Sequence, residues 1–402
     1  MPNGRCLLLW LFILFVGCIR EPAPAPAVEA VGPPDPADVE SVIFLVGDGG
    51  DATAATHPIL PRLHQDIEWW AGALERDSSV YVLFLGDIVY PEGLHDQGTG
   101  EWPRDSTVVM DQVLLLAGPQ ARLRGARGYF LAGNHDWGMD TNLVGARTVA
   151  LLSNFLVMAG RHTGANVALE PPAGTGGPTV VDVGSHIRML LLDTAWWLLY
   201  GNEDDAFRNR AVLEGIEEAM QTAGEREILI AAHHPFKSAG PHGGHFSFWE
   251  TFGLRYILAR SGAILQDLTS LPYRELERGL RQIFARLEPP LIFAGGHEHS
   301  LQVIHGTEAT DPVFNLVSGA ASKNSEVGEA PGKQFGVSAP GYQKLVIFED
   351  GSIHLYVEAA PPEYLSCPSS SAVSNPESSP EGQACMAEGL AAFQTVHSQR
   401  LR

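Results

Sequence analysis

Five apolar segments of strand length, each followed by a residue type that binds metals, recur along this chain. The segments lie at residues 41–46, 80–85, 128–132, 227–231 and 291–294. The residues that follow them are Asp48, Asp87, Asn134, His233 and His297. Uninterrupted apolar strands are typical of sheets covered on both faces, and open α/β sheets place their ligand sites at the carboxyl ends of strands. The pattern therefore predicts that these side chains meet at one edge of an α/β structure.

Segments with helical periodicity separate the strands. They lie at residues 59–75, 105–117, 143–158, 208–221 and 273–287. Two strands at 179–183 and 187–192 predict that the chain crosses into a second sheet there. Strand-like runs at 302–305, 313–317, 342–348 and 353–357 are typical of antiparallel edges. Together these segments predict one folded domain at residues 39–360.

The charge balance restricts the partner of this domain. The 402 residues include 26 basic and 47 acidic side chains, which gives a formal net charge of −21. Such a chain repels nucleic-acid backbones and anionic membrane surfaces, so we expect no nucleic-acid partner. A small anionic substrate remains possible if a local positive charge holds it, and metal ions supply such a charge.

The N-terminus has the pattern of an export signal. Arg5 precedes an apolar run at residues 6–16, which is too short to span a membrane and typical of a signal peptide at residues 1–17. The sequence before Cys18 resembles a bacterial lipoprotein processing site, so we expect a protein of the bacterial cell envelope that is lipid-anchored at Cys18. Phe15 stands where leucine is usual, which leaves an ordinary signal-peptidase site as the alternative. Residues 18–38 are interpreted as a Pro/Ala-rich tether.

The C-terminal segment, residues 361–402, is rich in serine, proline and glutamate, and its composition predicts a loosely ordered tail. Cys367 and Cys385 lie in this segment. An exported protein can oxidise such a pair, and neither cysteine has a metal-type partner nearby, so we favour one structural disulfide between them.

Taken in order, the residues after the five strands resemble the calcineurin-like metallophosphoesterase superfamily. The resemblance covers roughly residues 42–302. Most of that superfamily has a histidine in the first block where this chain has Gly50, and the purple acid phosphatase branch compensates with a tyrosine at the place of Tyr90. A tyrosine that only packs is the alternative for Tyr90. Residues 192–194, 232–235 and 296–302 are similar to the small, tartrate-resistant type of purple acid phosphatase.

This resemblance implies a four-layer α/β/β/α sandwich of two mixed β-sheets with flanking helices. It also implies two metal ions. The ligands of the first ion would be Asp48, Asp87, Tyr90 and His299. The ligands of the second ion would be Asp87, Asn134, His233 and His297. Oxygen donors including a phenolate favour Fe(III) in the first site, and the second set suits Fe(II), Zn or Mn. Three anionic ligands against a ferric and a divalent ion leave a formal charge of about +2.

The implied chemistry needs no serine, cysteine or aspartate nucleophile, because a metal-bound hydroxide attacks the phosphorus. His135 is the candidate for protonating the leaving alcohol or binding the phosphate, with a purely supporting role as the alternative. Asp136 is expected to orient an imidazole from behind. His242 is a weaker candidate for the work of His135, and with His234 and His245 it is otherwise interpreted as part of a polar loop.

The leading interpretation is an acid phosphatase-like phosphomonoesterase that acts on a small phosphorylated substrate. One alternative is a phosphodiesterase with two like divalent ions, acting on nucleotides or lipid head groups. A non-enzymatic alternative is a metal-containing binding lipoprotein of the envelope. Residues 237–290 are predicted to shape the leaving-group side. The aromatic residues at 246–252 are interpreted as a lid with its own small core, with a substrate platform as the alternative.

Overall fold

Two β-sheets lie face to face at the centre of the molecule. The computed structural model describes residues 27–74, 76–77, 79–138, 144–200, 206–243, 268, 270–368 and 380–402. The signal peptide, Cys18, His245 and the aromatic residues at 246–252 lie outside these residues. No helix in the described ranges is long and apolar enough to cross a bilayer.

The first sheet has seven strands among the described residues. They are β1 (Val39–Val46), β2 (Val80–Phe84), β3 (Arg127–Phe130), β4 (Asn166–Leu169), β12 (Gly341–Phe348), β13 (Ile353–Ala359) and β14 (Gln394–Arg400). Their order is β14-β13-β12-β1-β2-β3-β4. The pairs β1–β2, β2–β3 and β3–β4 are parallel, whereas β12, β13 and β14 pair antiparallel. The sheet is therefore mixed.

The second sheet is mixed as well. Its strands are β5 (Thr179–Val183), β6 (Ile187–Leu191), β7 (Glu227–Ala231), β8 (Ile292–Gly295), β9 (Leu301–His305), β10 (Phe314–Ser318) and β11 (Lys333–Val337). Their order is β11-β9-β10-β8-β7-β6-β5. The predicted crossing of the chain into a second sheet at residue 179 is confirmed.

Helices cover the outer faces of both sheets. They are α1 (Ile59–Ala73), α2 (Trp102–Leu114), α3 (Pro119–Leu123), α4 (Val144–Thr163), α5 (Thr194–Tyr200), α6 (Ala206–Gln221), α7 (Leu271–Arg286) and α8 (Pro380–Ala392). The predicted four-layer sandwich is confirmed. Its physical basis is visible in β1, where all eight residues are buried. Ile43 and Leu45 belong to the core between the sheets, and Val42 and Phe44 pack on the helical side, as the alternation of side chains along a strand requires.

The expectation of a loosely ordered C-terminal tail is wrong for residues 380–402. This segment forms α8 and β14, and β14 extends the first sheet by pairing with β13. The expected tether is also partly bound to the domain, because the carbonyl oxygens of Glu29 and Val31 accept hydrogen bonds from Arg400 N and Ser398 Oγ. Composition predicted neither contact, because backbone pairing at a sheet edge requires few apolar side chains.

The predicted disulfide between Cys367 and Cys385 is present. It joins the segment after β13 to α8 across a sequence separation of 18 residues. In the chain-entropy model a crosslink over a loop of this size stabilises the fold by about 3 kcal/mol. We therefore expect the Cys367→Ser/Cys385→Ser variant to have a lower Tm than the oxidised wild type, measured by circular dichroism. Reduced wild type is the control and should match the variant; equal Tm values for variant and oxidised protein would contradict a stabilising role.

Candidate metal centre

The five predicted strand ends meet where the edges of the two sheets face each other. Asp48 N donates a hydrogen bond to Gly86 O at 3.0 Å, which joins the loops after β1 and β2. The loops after β7 and β8 are joined in the same way by Gly296 N and His233 O at 2.8 Å. His297 N donates to Asp48 Oδ2 at 2.8 Å and connects the two sheets. Strand ends from both sheets therefore form one continuous rim.

One group of side chains on this rim consists of Asp87, Asn134, His233 and His297. His233 Nε2 lies 3.4 Å from Asp87 Oδ1 and 2.9 Å from Asn134 Oδ1. His297 Nδ1 lies 3.1 Å from Asn134 Oδ1 and 3.2 Å from His233 Nε2. All four residues are buried. The sequence placed the same four together as ligands of the second ion.

A second group consists of Asp48, Tyr90 and His299. Tyr90 OH donates to Asp48 Oδ1 at 3.0 Å and lies 3.3 Å from His299 Nε2. Asp87 belongs to both groups, because ligand atoms of Asp48, Asp87 and His233 lie within 4.8 Å of one another. The fold thus brings all seven predicted metal-binding side chains together around one shared carboxylate.

The backbone at this rim is strained. Among the described residues, the non-glycine residues with positive φ are Asp48 at 60°, Asp87 at 54° and His297 at 66°. The left-handed region is unfavourable for side chains with a Cβ and recurs at functional sites, where surrounding structure enforces it. Three such residues, all with side chains in the same cluster, indicate that the rim is shaped for binding.

Gly50 and Tyr90 occupy adjoining space. A Cβ atom on Gly50 would lie 2.7 Å from Tyr90 Cδ2 and 2.7 Å from Tyr90 N. Side chains do not tolerate such distances, so a histidine at position 50 and the present position of Tyr90 exclude each other.

The protonation states in the cluster favour a cation. Burial and the neighbouring His234 lower the pKa of His297, so this imidazole stays neutral. Burial opposes ionisation of Asp48, but contact with His299 and the charge of His233 lower the pKa of Asp48 overall. Burial lowers the pKa of His233, yet the carboxylates of Asp87 and Asp48 outweigh it and raise this pKa. Ionised carboxylates that attract positive charge, together with imidazole donors, are a suitable environment for metal ions.

The ionisation of the Tyr90 phenol depends most on a bound cation. Burial and the negative charges of Asp48 and Asp87 raise the pKa of Tyr90 well above its usual value. The phenol is therefore protonated in the metal-free protein and donates to Asp48 Oδ1. Only a strongly charged cation between these groups would favour the phenolate.

Backbone carbonyls fix two of the imidazoles. His233 Nδ1 donates to Leu85 O at 2.8 Å, so its Nε2 lone pair faces the cluster. His135 Nδ1 donates to Pro91 O at 2.5 Å, and His135 Nε2 lies 3.9 Å from Asp87 Oδ2. The His135 side chain is 21% exposed. Its Nε2 is therefore at the mouth of the cluster, where an acid or a phosphate-binding group belongs.

Among the described residues, Asp136 binds backbone N–H groups instead of the imidazole that we expected it to orient. Its carboxylate accepts hydrogen bonds from the backbone N–H groups of Ile88, Val89 and Gly133 at 2.8 to 3.1 Å. Asp136 therefore joins the loops after β2 and β3, which carry Asp87 and Asn134.

His242 lies next to the cluster. It is in a short 3₁₀ turn, Pro241–Gly243, and its ring centroid is 4.4 Å from that of His297. His234 is also close, with 4.4 Å between its ring centroid and that of His297, and its Nδ1 lies 2.9 Å from Thr194 Oγ1. The structure thus places both His242 and His234 beside His297, and ligand atoms of His233, His234 and His297 lie within 4.8 Å of one another.

Sequence reasoning missed Lys323. Its Nζ lies 3.1 Å from the centroid of the Tyr90 ring and 3.4 Å from Asp51 Oδ2. A cation over an aromatic face is attracted by the π-electrons, and the attraction is stronger when the ring becomes a phenolate. Lys323 follows β10, and its position after Ser318 in a polar segment carried no signal of a contact with Tyr90 more than two hundred residues earlier.

Asp193, which follows β6, gives a prediction about pH. It is buried, and its carboxylate accepts hydrogen bonds from Trp137 Nε1 at 3.0 Å and Trp196 N at 2.8 Å. Burial raises the pKa of Asp193 to about 7. Since this pKa exceeds the unfolded value, the folded state holds a proton that the unfolded chain releases above about pH 4.

The resulting stabilisation is complete below about pH 4 and is lost as the pH rises to about 7. We expect the Asp193→Asn variant to lose this part of the pH dependence of the unfolding free energy, measured in urea at pH 4.5 to 7.5. An unchanged slope in the variant would show that Asp193 titrates normally.

Comparison with known proteins identifies the fold. No protein-family model matches the sequence, and no curated protein matches it either. A purple acid phosphatase, PPD1 from yellow lupin (Lupinus luteus) seeds, has a similar structure with a TM-score of 0.50 and 15% identity. The chain has the metallophosphoesterase fold. The match covers 90% of this chain but only 53% of the lupin protein, so the chain spans about half the length of that enzyme.

A second similar structure carries a different description. GAP50, described as the anchor in the inner membrane complex of Plasmodium, has a TM-score of 0.50 and 14% identity, and the match covers 89% of this chain and 96% of GAP50. An enzyme and an anchor thus share this fold. Function has to be argued from the site itself.

Proposed function

We propose that this protein is a metal-dependent phosphoester hydrolase, most specifically an acid phosphatase-like phosphomonoesterase. The observation that carries the proposal is the convergence of six other predicted metal-binding side chains around Asp87, which belongs to two adjacent ligand groups. When bound, two metal ions supply the positive charge that attracts a phosphoryl group and the acidity that makes a water molecule nucleophilic near neutral pH.

The protein's own residues divide the remaining work. Asp87 would bridge the two ions, with Asp48, Tyr90 and His299 on one side. Asn134, His233 and His297 would complete the other side. His135 Nε2 stands at the mouth of the cluster, where it would donate a proton to the leaving alcohol or hold a phosphoryl oxygen. His242, whose ring lies next to that of His297, would be a second candidate for the same role as His135.

The position of Tyr90 supports the purple acid phosphatase type over a phosphodiesterase with two like divalent ions. Its hydroxyl is 3.0 Å from Asp48 Oδ1 and 3.3 Å from His299 Nε2, so all three side chains converge on one point. A phenolate donor favours Fe(III) at the first position, and Fe(II), Zn or Mn would take the second.

The non-enzymatic alternative is a metal-containing binding protein, and the similar structure of GAP50, which is described as an anchor, is an example of this fold with a different description. Against that alternative, every ligand position is filled, and His135 stands beside the cluster.

The decisive test is release of phosphate from an aryl phosphate monoester by metal-loaded protein. We expect His297→Ala to lower kcat/KM by about 10²-fold or more, because it removes a donor of the second group. The wild type should hydrolyse the monoester faster than the matching diester. Activity of His297→Ala equal to wild type, or no turnover of any phosphoester by fully loaded wild type, would refute the proposal.

The cellular context is part of the proposal. The net charge of −21 supports a small phosphorylated substrate over nucleic acid, and the N-terminal pattern supports export and a lipid anchor at Cys18 in the bacterial envelope. Cys18→Ala would release a lipoprotein from the membrane fraction. An unchanged distribution would favour the ordinary signal-peptidase site.

A further inference from the structure

Glu298 stands between two predicted metal ligands, but its side chain serves a different part of the molecule. His297 and His299 face the cluster, whereas Glu298 Oε1 accepts hydrogen bonds from Ser238 Oγ at 2.9 Å and Gly243 N at 2.8 Å. Glu298 is 0% exposed. A buried carboxylate is costly unless its partners are well placed, so this contact is a specific feature of the loop.

The partners of Glu298 belong to the turn at residues 238–243. Ser238 Oγ also accepts a hydrogen bond from Gly240 N at 2.8 Å, and Gln302 Oε1 accepts one from Ala239 N at 2.8 Å. A Cβ on Gly240 would lie 2.2 Å from Glu298 Oε2. The backbone of the turn therefore closes directly onto the carboxylate, and a side chain at position 240 would displace it.

His242 is carried by this turn. It precedes Gly243, whose N–H is bound by Glu298, and its ring lies 4.4 Å from that of His297. Within the described residues Glu298 Oε2 has no hydrogen-bond partner and is buried.

We propose that Glu298 is a positioning residue that holds His242 beside the metal cluster. Alternate residues of one segment then perform two tasks: His297 and His299 bind metal, and Glu298 sets the place of a histidine from another loop. The distance between His242 and the cluster is thereby tied to the metal ligands themselves. The catalytic consequence rests on the proposed function; the structural part does not.

Hydrogen exchange tests the structural part without turnover. In metal-loaded full-length protein, Glu298→Ala should raise the exchange rate of amides in residues 238–243 by about tenfold or more, because the Gly243 amide loses its acceptor. Glu298→Gln keeps an oxygen acceptor and should restore most of the protection. Glu358→Ala, which removes a buried glutamate on β13 that pairs with Lys344, should leave this segment unchanged. Equal exchange in Glu298→Ala and wild type would overturn the proposal.

Kinetics test the catalytic part. Displacing a group in the site by about 1 Å costs up to about 10²-fold, so we expect Glu298→Ala to lower kcat/KM by about tenfold with both metals retained. His242→Ala and the double variant should then have activities within about twofold of each other, since residues that act as a unit are not additive. Additive losses, or loss of metal in Glu298→Ala, would overturn the proposal.

Ser238→Ala provides a second, milder variant if Glu298→Ala does not fold. It removes one of the two donors to Glu298 Oε1 and should raise exchange of residues 238–243 in the same direction by a smaller factor; no change would count against the proposal. If loaded wild type lacks turnover on every phosphoester, the proposed function fails, while the exchange experiment still decides whether Glu298 holds the turn.

Discussion

Replacing Asp87 with alanine is expected to remove bound metal and to lower phosphoester hydrolysis by at least about 10³-fold. Asp87 belongs to both ligand groups, so its loss opens both sites at once. Its Oδ1 lies 3.4 Å from His233 Nε2 and accepts a hydrogen bond from His135 N at 3.0 Å. The carboxylate therefore also places the residue that we expect to meet the leaving group.

Metal content by elemental analysis and release of phosphate from an aryl monoester measure this effect. Asp87→Asn separates charge from shape, because the amide oxygen still accepts from His135 N; we expect it to lose at least one metal and most of the activity. Asp182→Asn is the matched control, since Asp182 pairs with Arg188 and Arg226 at the second sheet and is no member of the cluster. An Asp87→Ala protein with both metals bound and activity within about tenfold of wild type would contradict the bridging role.

Tyr90→Phe is expected to remove the visible charge-transfer absorption of iron-loaded protein and to lower activity about 10- to 100-fold. The change deletes one oxygen and keeps the ring, which packs edge-on against His135 with 4.5 Å between centroids. Lys323 still lies over its face. The variant should therefore fold normally and lose only the phenolate donor.

Visible spectra of wild type and variant, each loaded with iron, check this expectation. Tyr342→Phe is a matched control, because this buried tyrosine donates its hydroxyl hydrogen bond to Asp66, outside the cluster. It should keep the absorption. The outcome that would instead support the phosphodiesterase with two like ions has two parts. The wild type would be colourless and active only with Mn or Zn, and the Tyr90→Phe variant would have the same activity as the wild type.

Much of the fold could be predicted because buried strands form recognisable apolar runs in the sequence. The strands before Asp48, Asp87 and His233 are continuous apolar runs, and the observed β1, β2 and β7 begin and end within two residues of the predicted bounds. Strands at the edges of the sheets were harder to predict from the sequence. β14 (Gln394–Arg400) has Val396 as its only apolar residue, since an edge strand needs little apolar surface and is stabilised by backbone hydrogen bonds to its neighbour.

The candidate site likewise has features that the sequence predicted and features that it did not. Five of its seven predicted metal-binding side chains were singled out by their place after strands, because parallel strands deliver their ends to a common edge, and the family resemblance added Tyr90 and His299. The direction of individual side chains did not follow. Asp136 binds backbone N–H groups of a neighbouring loop, and Glu298 reaches a turn some sixty residues earlier in the chain.

The sequence by itself determined the order of the elements, the predicted sandwich and the set of residues at the strand ends, because all of these depend on periodicity and on local position. The tertiary structure decided which partner each side chain meets. It placed Tyr90 in the space beside Gly50, Lys323 over the Tyr90 ring, and Glu298 beneath the turn that carries His242. These contacts join segments distant in sequence, and they depend on loop backbone angles and on the packing of one sheet against the other, which no local pattern encodes.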